Sequence, residues 1–296
     1  MTQQTIGFVG FGEVAPVLSG KLREHGANIA VYDIVLNKPG GRELLEQRAQ
    51  APGIEFVGLV ELMEHSNVII STVTTQSARL VAEECAKWLK PGQIYLDLNS
   101  TSPNIKQDIA ELIRPSGADF VEGAILGAIG PTKERTPILT GGERGPEMAD
   151  LLTSLGLRVT FYNTEIGKAS TFKMLRSIFS KGLEALLGEF LIAGRKAGIM
   201  DDLWKDVMEL MTTQPFDKVA SNWIQTHALA CERRYYEMLQ VAETMEELDI
   251  DPVMTKGTIA FFERSLGLDF KQQFTQKPES MVEVIDYMNL KIVDRA

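Results

Sequence analysis

The chain reads as an α/β protein in which a doubly wound, mostly parallel sheet is followed by an all-α carboxy-terminal domain. Three observations predict this. Short apolar, often β-branched runs alternate with helix-like stretches from Thr5 to about Phe161, the signature of a parallel sheet covered by helices. A glycine-rich turn stands between the first strand and the first helix. Beyond Asn163 no convincing strand occurs, and long stretches with a helical period take over.

In order, the expected strands are TIGFVG from Thr5, ANIAVYD from Ala27, IEFVG from Ile54, NVIISTV from Asn67, QIYLDLN from Gln93, ADFVEG from Ala118, TPILTGG from Thr136 and RVTFY from Arg158. The helical half breaks at Gly198, at Gln214-Pro215, at Asp251-Pro252 and around Lys277-Pro278, where glycine or proline interrupts the period. Its first element, residues 164–195, reads as one long helix. Phe172, Leu175, Phe179, Leu183, Leu186, Phe190 and Ala193 step along a single stripe, and some thirty residues extend about 45 Å. Such a helix joins the two domains, placed at residues 1–163 and 164–296.

Composition narrows the function. With 30 Lys and Arg against 40 Asp and Glu, the formal charge is −10, which provides no overall attraction to nucleic acid or to an anionic membrane. No apolar run approaches the roughly 18 residues a bilayer span needs. Met1-Thr2-Gln3-Gln4 shows no basic segment ahead of an apolar one, so a cytoplasmic location is expected. The two cysteines and three scattered histidines suggest neither a disulfide framework nor a metal site.

The most informative segment is Gly10-Phe11-Gly12-Glu13-Val14-Ala15. A tight turn needs the first glycine, backbone approach to a pyrophosphate needs the second, and close packing of helix on strand needs the small alanine. The helix that follows points its free N–H groups and positive dipole end at the phosphates. Asp33 ends the next strand about 20 residues on, where a carboxylate accepts hydrogen bonds from a ribose diol. These features predict a Rossmann domain that binds NAD. A carboxylate at Asp33 repels a 2′-phosphate, while Lys38 in the following loop keeps NADP as the alternative. Thr72, Val73 and Thr74, at the end of the fourth strand, form the third expected cofactor contact.

The residues resemble the β-hydroxyacid dehydrogenase superfamily, which includes 3-hydroxyisobutyrate and 6-phosphogluconate dehydrogenases. The resemblance rests on the glycine motif, on Asp97-Leu98-Asn99-Ser100-Thr101-Ser102-Pro103, on Glu122-Gly123-Ala124-Ile125-Leu126-Gly127, and on Gly167-Lys168-Ala169-Ser170-Thr171-Phe172-Lys173. It implies an NAD(P)-dependent oxidoreductase that interconverts an alcohol, such as a hydroxy acid or related anionic compound, and its carbonyl. Lys173 stands in the place of the family's general acid/base. Asn99, Ser100 and Thr101 would contact substrate, with Asn99 also reaching the cofactor. The resemblance further implies a small-molecule substrate and a homodimer.

Departures bear on the substrate. Leu126-Gly127-Ala128 replaces the usual Ser-Gly-Gly, and Arg176 and Ser177 replace asparagine or histidine-asparagine after the lysine. Leu126, Gly127, Arg176 and Ser177 are candidate substrate contacts. Ser180 stands where phosphogluconate dehydrogenases carry an acidic glutamate, which speaks against oxidative decarboxylation. His227, Arg233 and Arg234 are further candidates for holding an anion, with surface ion pairs to Glu232 and Glu237 as the alternative. Two other functions stay open: an imine reductase, whose relatives usually replace the lysine, and a non-catalytic NAD(P)-binding regulator.

Overall fold

The computed structural model describes residues 5–293, and each of the eight apolar runs forms a strand: β1 (Thr5–Val9), β2 (Asn28–Tyr32), β3 (Ile54–Phe56), β4 (Val68–Ser71), β5 (Ile94–Asp97), β6 (Asp119–Ile125), β7 (Ile138–Gly141) and β8 (Val159–Asn163). Met1-Thr2-Gln3-Gln4, read above for a leader, lies outside the described residues. The strands make one sheet in the order β3-β2-β1-β4-β5-β6-β7-β8. All neighbours are parallel except β6 and β7, which pair antiparallel with Glu122 opposite Gly141. The connection between them, residues 126–137, contains only single-turn helical pieces. A parallel return is usually made through a full crossover helix, which this segment does not form.

Helices α1 (Val14–Glu24), α2 (Gly41–Arg48), α3 (Leu59–His65), α4 (Ala78–Ala86), α5 (Pro103–Ile113), α6 (Ile129–Thr132) and α7 (Gly145–Ser154) connect the strands. The two faces of the sheet bury alternate residues, as strand pleating requires. Ile6, Phe8, Ile29, Val31, Ile70 and Leu96 pack with Leu18 and Leu22 of α1 and Met148 and Leu152 of α7. Val9, Ala30, Ile69 and Tyr95 face the other way, onto Leu62 of α3, Ala82 and Cys85 of α4, and Ile109 and Ile113 of α5.

The long helix, α8 (Lys168–Ala197), starts four residues later than its period suggests. The Asn163 side chain accepts the Glu165 N–H at 2.8 Å, and this local turn competes with helix formation. The chain divides into two compact units within α8, between Ile178 and Phe179. After it come α9 (Met200–Thr213), α10 (Phe216–Glu247), α11 (Val253–Leu266), α12 (Phe270–Gln273) and α13 (Met281–Val293). The gaps coincide with the expected Gly and Pro breaks. One further break, Gly267–Asp269, carries no proline and escapes the period analysis.

The second unit has its own core of Ala228, Cys231, Leu268, Phe270, Val284 and Met288. His227 is buried there among the rings of Phe261, Phe262 and Phe270, and its Nε2 lies 3.0 Å from the Ser265 hydroxyl. Burial, aided by the charge of Arg234, pushes its pKa down to about 4. Arg233 pairs with Glu237 one turn along α10, and Arg234 donates to Trp223 O and to the Thr226 hydroxyl. Glu189 of α8 accepts the N–H groups of Met254 and Thr255, capping α11. Cys85 and Cys231 are free buried thiols. Among the described residues, no helix is long and apolar enough to cross a membrane, and no His, Cys, Asp and Glu side chains gather in a group able to hold a metal.

Candidate active site

The strand order reverses between β1 and β4, and parallel chain ends diverge there to leave a crevice. A cavity of about 650 Å³ opens at this point, lined by Gly10, Phe11, Gly12, Glu13, Val14, Asp33, Thr72, Val73 and Thr74. Every cofactor contact expected from sequence, apart from Asn99, lies on its wall. Val9, Tyr32, Ile34, Leu59, Ser77, Leu80, Val81 and Glu84 complete the wall. Val9 and Tyr32 end β1 and β2, while the others come from helices and loops whose meeting depends on the crossovers, and no local motif marks those.

Two glycines of the motif have different physical causes. Gly10 has φ +91°, and a Cβ there would lie 2.6 Å from Thr72 O, so the chain itself demands glycine. At Gly12 an added Cβ would meet no protein atom within 4 Å. Gly12 faces the cavity, and what its missing side chain keeps clear is room for a ligand, as close approach of a pyrophosphate requires. Helix α1 begins next to it with no side-chain cap, leaving its first N–H groups for an anion. Asp33 accepts the Phe11 N–H at 2.7 Å and the Val35 N–H at 2.9 Å. These bonds hold the carboxylate at the cavity wall with lone pairs to spare for hydroxyl donors. The pocket fits a dinucleotide.

A second cavity, of about 440 Å³, shares Glu13, Val14, Thr72, Val73 and Thr74 with the first. Its other walls are Thr75 after β4, Leu98, Asn99 and Ser100 after β5, Ile125, Gly127, Ala128 and Ile129 at the end of β6, and Lys173 of α8. Lys173 is half-buried. The cap expected at Ser102-Pro103 is present, with Ser102 Oγ accepting the Ile105 N–H and Pro103 at the first helical position.

Asn99 is occupied by the protein itself. Its Oδ1 accepts the Val73 N–H at 2.7 Å, its Nδ2 donates to Ser71 Oγ at 2.9 Å, and its backbone N–H donates to Asp97 Oδ1 at 2.7 Å. Its carboxamide thereby ties the end of β5 to the end of β4. Beneath it lies an ion pair in which Lys106 and Asp97 are both 0 % exposed, Nζ to Oδ1 3.1 Å. Lys106 Nζ also donates to Asp97 O at 2.7 Å and Gly123 O at 3.2 Å, so each of its protons has an acceptor. This network escapes motif reading. A signal exists, since Lys106 stands on the apolar stripe of α5 with Ile109 and Ile113, where a charge needs a partner.

Four other candidates lie off both cavity walls. Thr101 is buried with its hydroxyl unpartnered. Leu126 is held in the sheet margin by its N–H bond to Pro137 O. Ser177 donates back to Lys173 O, and Arg176 is exposed on α8.

Residues 5–162 match the NAD binding domain of 6-phosphogluconate dehydrogenase, and residues 195–265 match a domain of unknown function, DUF1932. The chain is 30% identical to a conserved protein of unknown function whose structure resembles 3-hydroxyacid dehydrogenases, with TM-score 0.60 over 88% of this chain and 96% of that one. It is 24% identical to the mitochondrial 3-hydroxyisobutyrate dehydrogenase of Mus musculus over 53% of this chain, spanning 47% of the relative. An imine reductase from Myxococcus stipitatus in complex with NADP+ shares the fold, with TM-score 0.72 at 17% identity over 90% of this chain and 95% of that one.

Proposed function

The chain belongs to the β-hydroxyacid dehydrogenase-like family, and from that premise we propose that it is an NAD(P)-dependent oxidoreductase interconverting an alcohol and its carbonyl, with Lys173 as general acid/base. One observation carries this reading: Lys173 lines the same cavity as Glu13 and Val14, which adjoin the glycine turn. A nicotinamide cofactor, when bound, supplies or accepts the hydride. As the neutral amine, Lys173 Nζ takes the hydroxyl proton of the substrate; as the ammonium, it returns a proton to the alcohol oxygen in the reverse direction. Leu98, Ile125 and Ile129 exclude water from that exchange.

Asp33 favours NAD over NADP, by repulsion of a 2′-phosphate from the wall it shares with Gly12. The substrate is a small hydroxy acid or related anion, held near Ser100, Gly127 and Lys173. Gly127-Ala128 offers backbone N–H groups but no hydroxyl. The protein assembles as a homodimer, a reading supported by exposed Leu175, Phe179 and Leu186 on α8 and tested by light scattering of the eluting species.

The functional test measures NADH formation over a panel of hydroxy acids, alcohols, and sulfonate and phosphonate analogues, with cyclic imines offered in the reductive direction. Lys173→Ala is expected to lower kcat by roughly 10²- to 10⁴-fold, with the Kd for NAD within about twofold of wild type. Wild-type turnover in Lys173→Ala overturns the assignment. Tight NAD binding without turnover of any panel member favours the regulator.

A further inference from the structure

Glu122 is a carboxylate buried at the heart of the first unit, outside both cavity walls. Its Oε1 accepts the N–H groups of Gly167 at 2.9 Å and Ala169 at 3.0 Å. Its Oε2 accepts the Ser170 N–H at 3.3 Å and the Ser170 hydroxyl at 2.9 Å. Four donors from the start of α8 thus converge on one side chain of β6. Across the sheet, Gly141 makes the space, since a Cβ there would lie 2.6 Å from Glu122 Oε1.

Two chain segments leave this anchor. Along α8, Lys173 follows Ser170 by three residues, less than one helical turn. Along β6, the strand runs on from Glu122 to Ile125 and into Gly127, Ala128 and Ile129. Both segments end on the wall of the second cavity. Resting on the reading of Lys173 as acid/base, we propose that Glu122 is a positioning residue, which sets the Lys173 amine against the β6 wall of the cavity by holding the first turn of α8.

An ordinary helix cap would affect stability alone. A positioning residue also changes how Lys173 reacts. Glu122→Gln keeps the side-chain length, but its amide has only one oxygen to serve donors that now occupy two. Its nitrogen presents protons to another donor group, so the start of α8 shifts or loses bonds.

The experiment uses the full chain saturated with NAD. Trace acylation with acetic anhydride, followed by mass spectrometry, reads the reactivity of Lys173 with Lys181 as the internal reference. Glu122→Gln is expected to change Lys173 labelling at least fivefold relative to Lys181, with NAD affinity within about twofold of wild type. With a substrate from the panel, kcat falls at least tenfold and KM changes less than threefold. Ser170→Ala, which removes one of the four bonds and preserves folding if Glu122→Gln does not, is expected to move both readouts the same way by a smaller factor. Unchanged labelling of Lys173 in a folded variant overturns the proposal, as does a loss of turnover matched by an equal loss of NAD affinity. Wild-type kcat in Lys173→Ala refutes the catalytic assignment instead, and the labelling result stands apart from it.

Discussion

Replacing Lys106 by methionine perturbs the buried network under Asn99 with little change in side-chain volume. Three donated bonds vanish, to Asp97 Oδ1, Asp97 O and Gly123 O. The Asp97 carboxylate then keeps one hydrogen bond, from the Asn99 N–H, while its Oδ2 already lacks a partner. Breaking a fully buried pair by removing one member costs about 3–5 kcal/mol, because a desolvated charge is left behind. For a folding unit of this size each kcal/mol lowers Tm by roughly 2–4 °C, so Lys106→Met is expected to melt about 6–20 °C lower. Lys106→Met combined with Asp97→Asn removes the stranded charge and is expected to recover at least half of that loss. Calorimetry and guanidinium unfolding provide the measurement. A cost below about 1 kcal/mol in the single variant, or a double variant less stable than the single, refutes the view that Lys106 is held by Asp97 as a stabilising buried pair bridging β5 and Gly123 of β6.

Three other outcomes are expected. Gly12→Val is expected to weaken NAD binding at least a hundredfold by titration calorimetry while Tm stays within about 2 °C, whereas Gly10→Ala, strained at φ +91° and blocked by Thr72 O, lowers stability by about 1–3 kcal/mol. Asp33→Asn keeps an acceptor for the Phe11 N–H but removes the negative charge, so the ratio of NADP to NAD affinity is expected to rise at least tenfold in parallel titrations. For His227, the folded pKa of about 4 lies below the ordinary 6.5. The unfolded chain therefore binds the proton more readily, and stability falls as pH drops through that window. The loss at pH 5 is about 2 kcal/mol relative to neutral pH, and His227→Gln flattens that dependence in guanidinium midpoints measured at both pH values.

The strands and the glycine turn are legible in the chain because their causes are local. Alternation at Ile6 and Phe8, or at Ile29 and Val31, follows from the pleat, and Gly12 followed by Val14 and Ala15 announces a helix start beside open space. The start of α8 at Lys168 is less legible, since the Asn163 turn competes with a pattern that suits a helix on either reading. Asn99 shows the difference for a functional residue. Its position after β5 is plain from the sequence, but its carboxamide is committed to Ser71 and Val73, which are close only because β4 and β5 pair.

Strand content, the dinucleotide turn and the fold class they imply were inherent in the order of residues along the chain, because each arises from neighbours within a few positions, and the net charge of −10 followed from composition alone. The buried charges at Asp97, Lys106 and Glu122, and the cavity that Lys173 and Glu13 both line, required the folded arrangement. The partners of those groups include segments far along the backbone, such as Gly123 for Lys106 and Gly167 to Ser170 for Glu122, and a buried charge persists only where such segments deliver enough donors and acceptors to replace water.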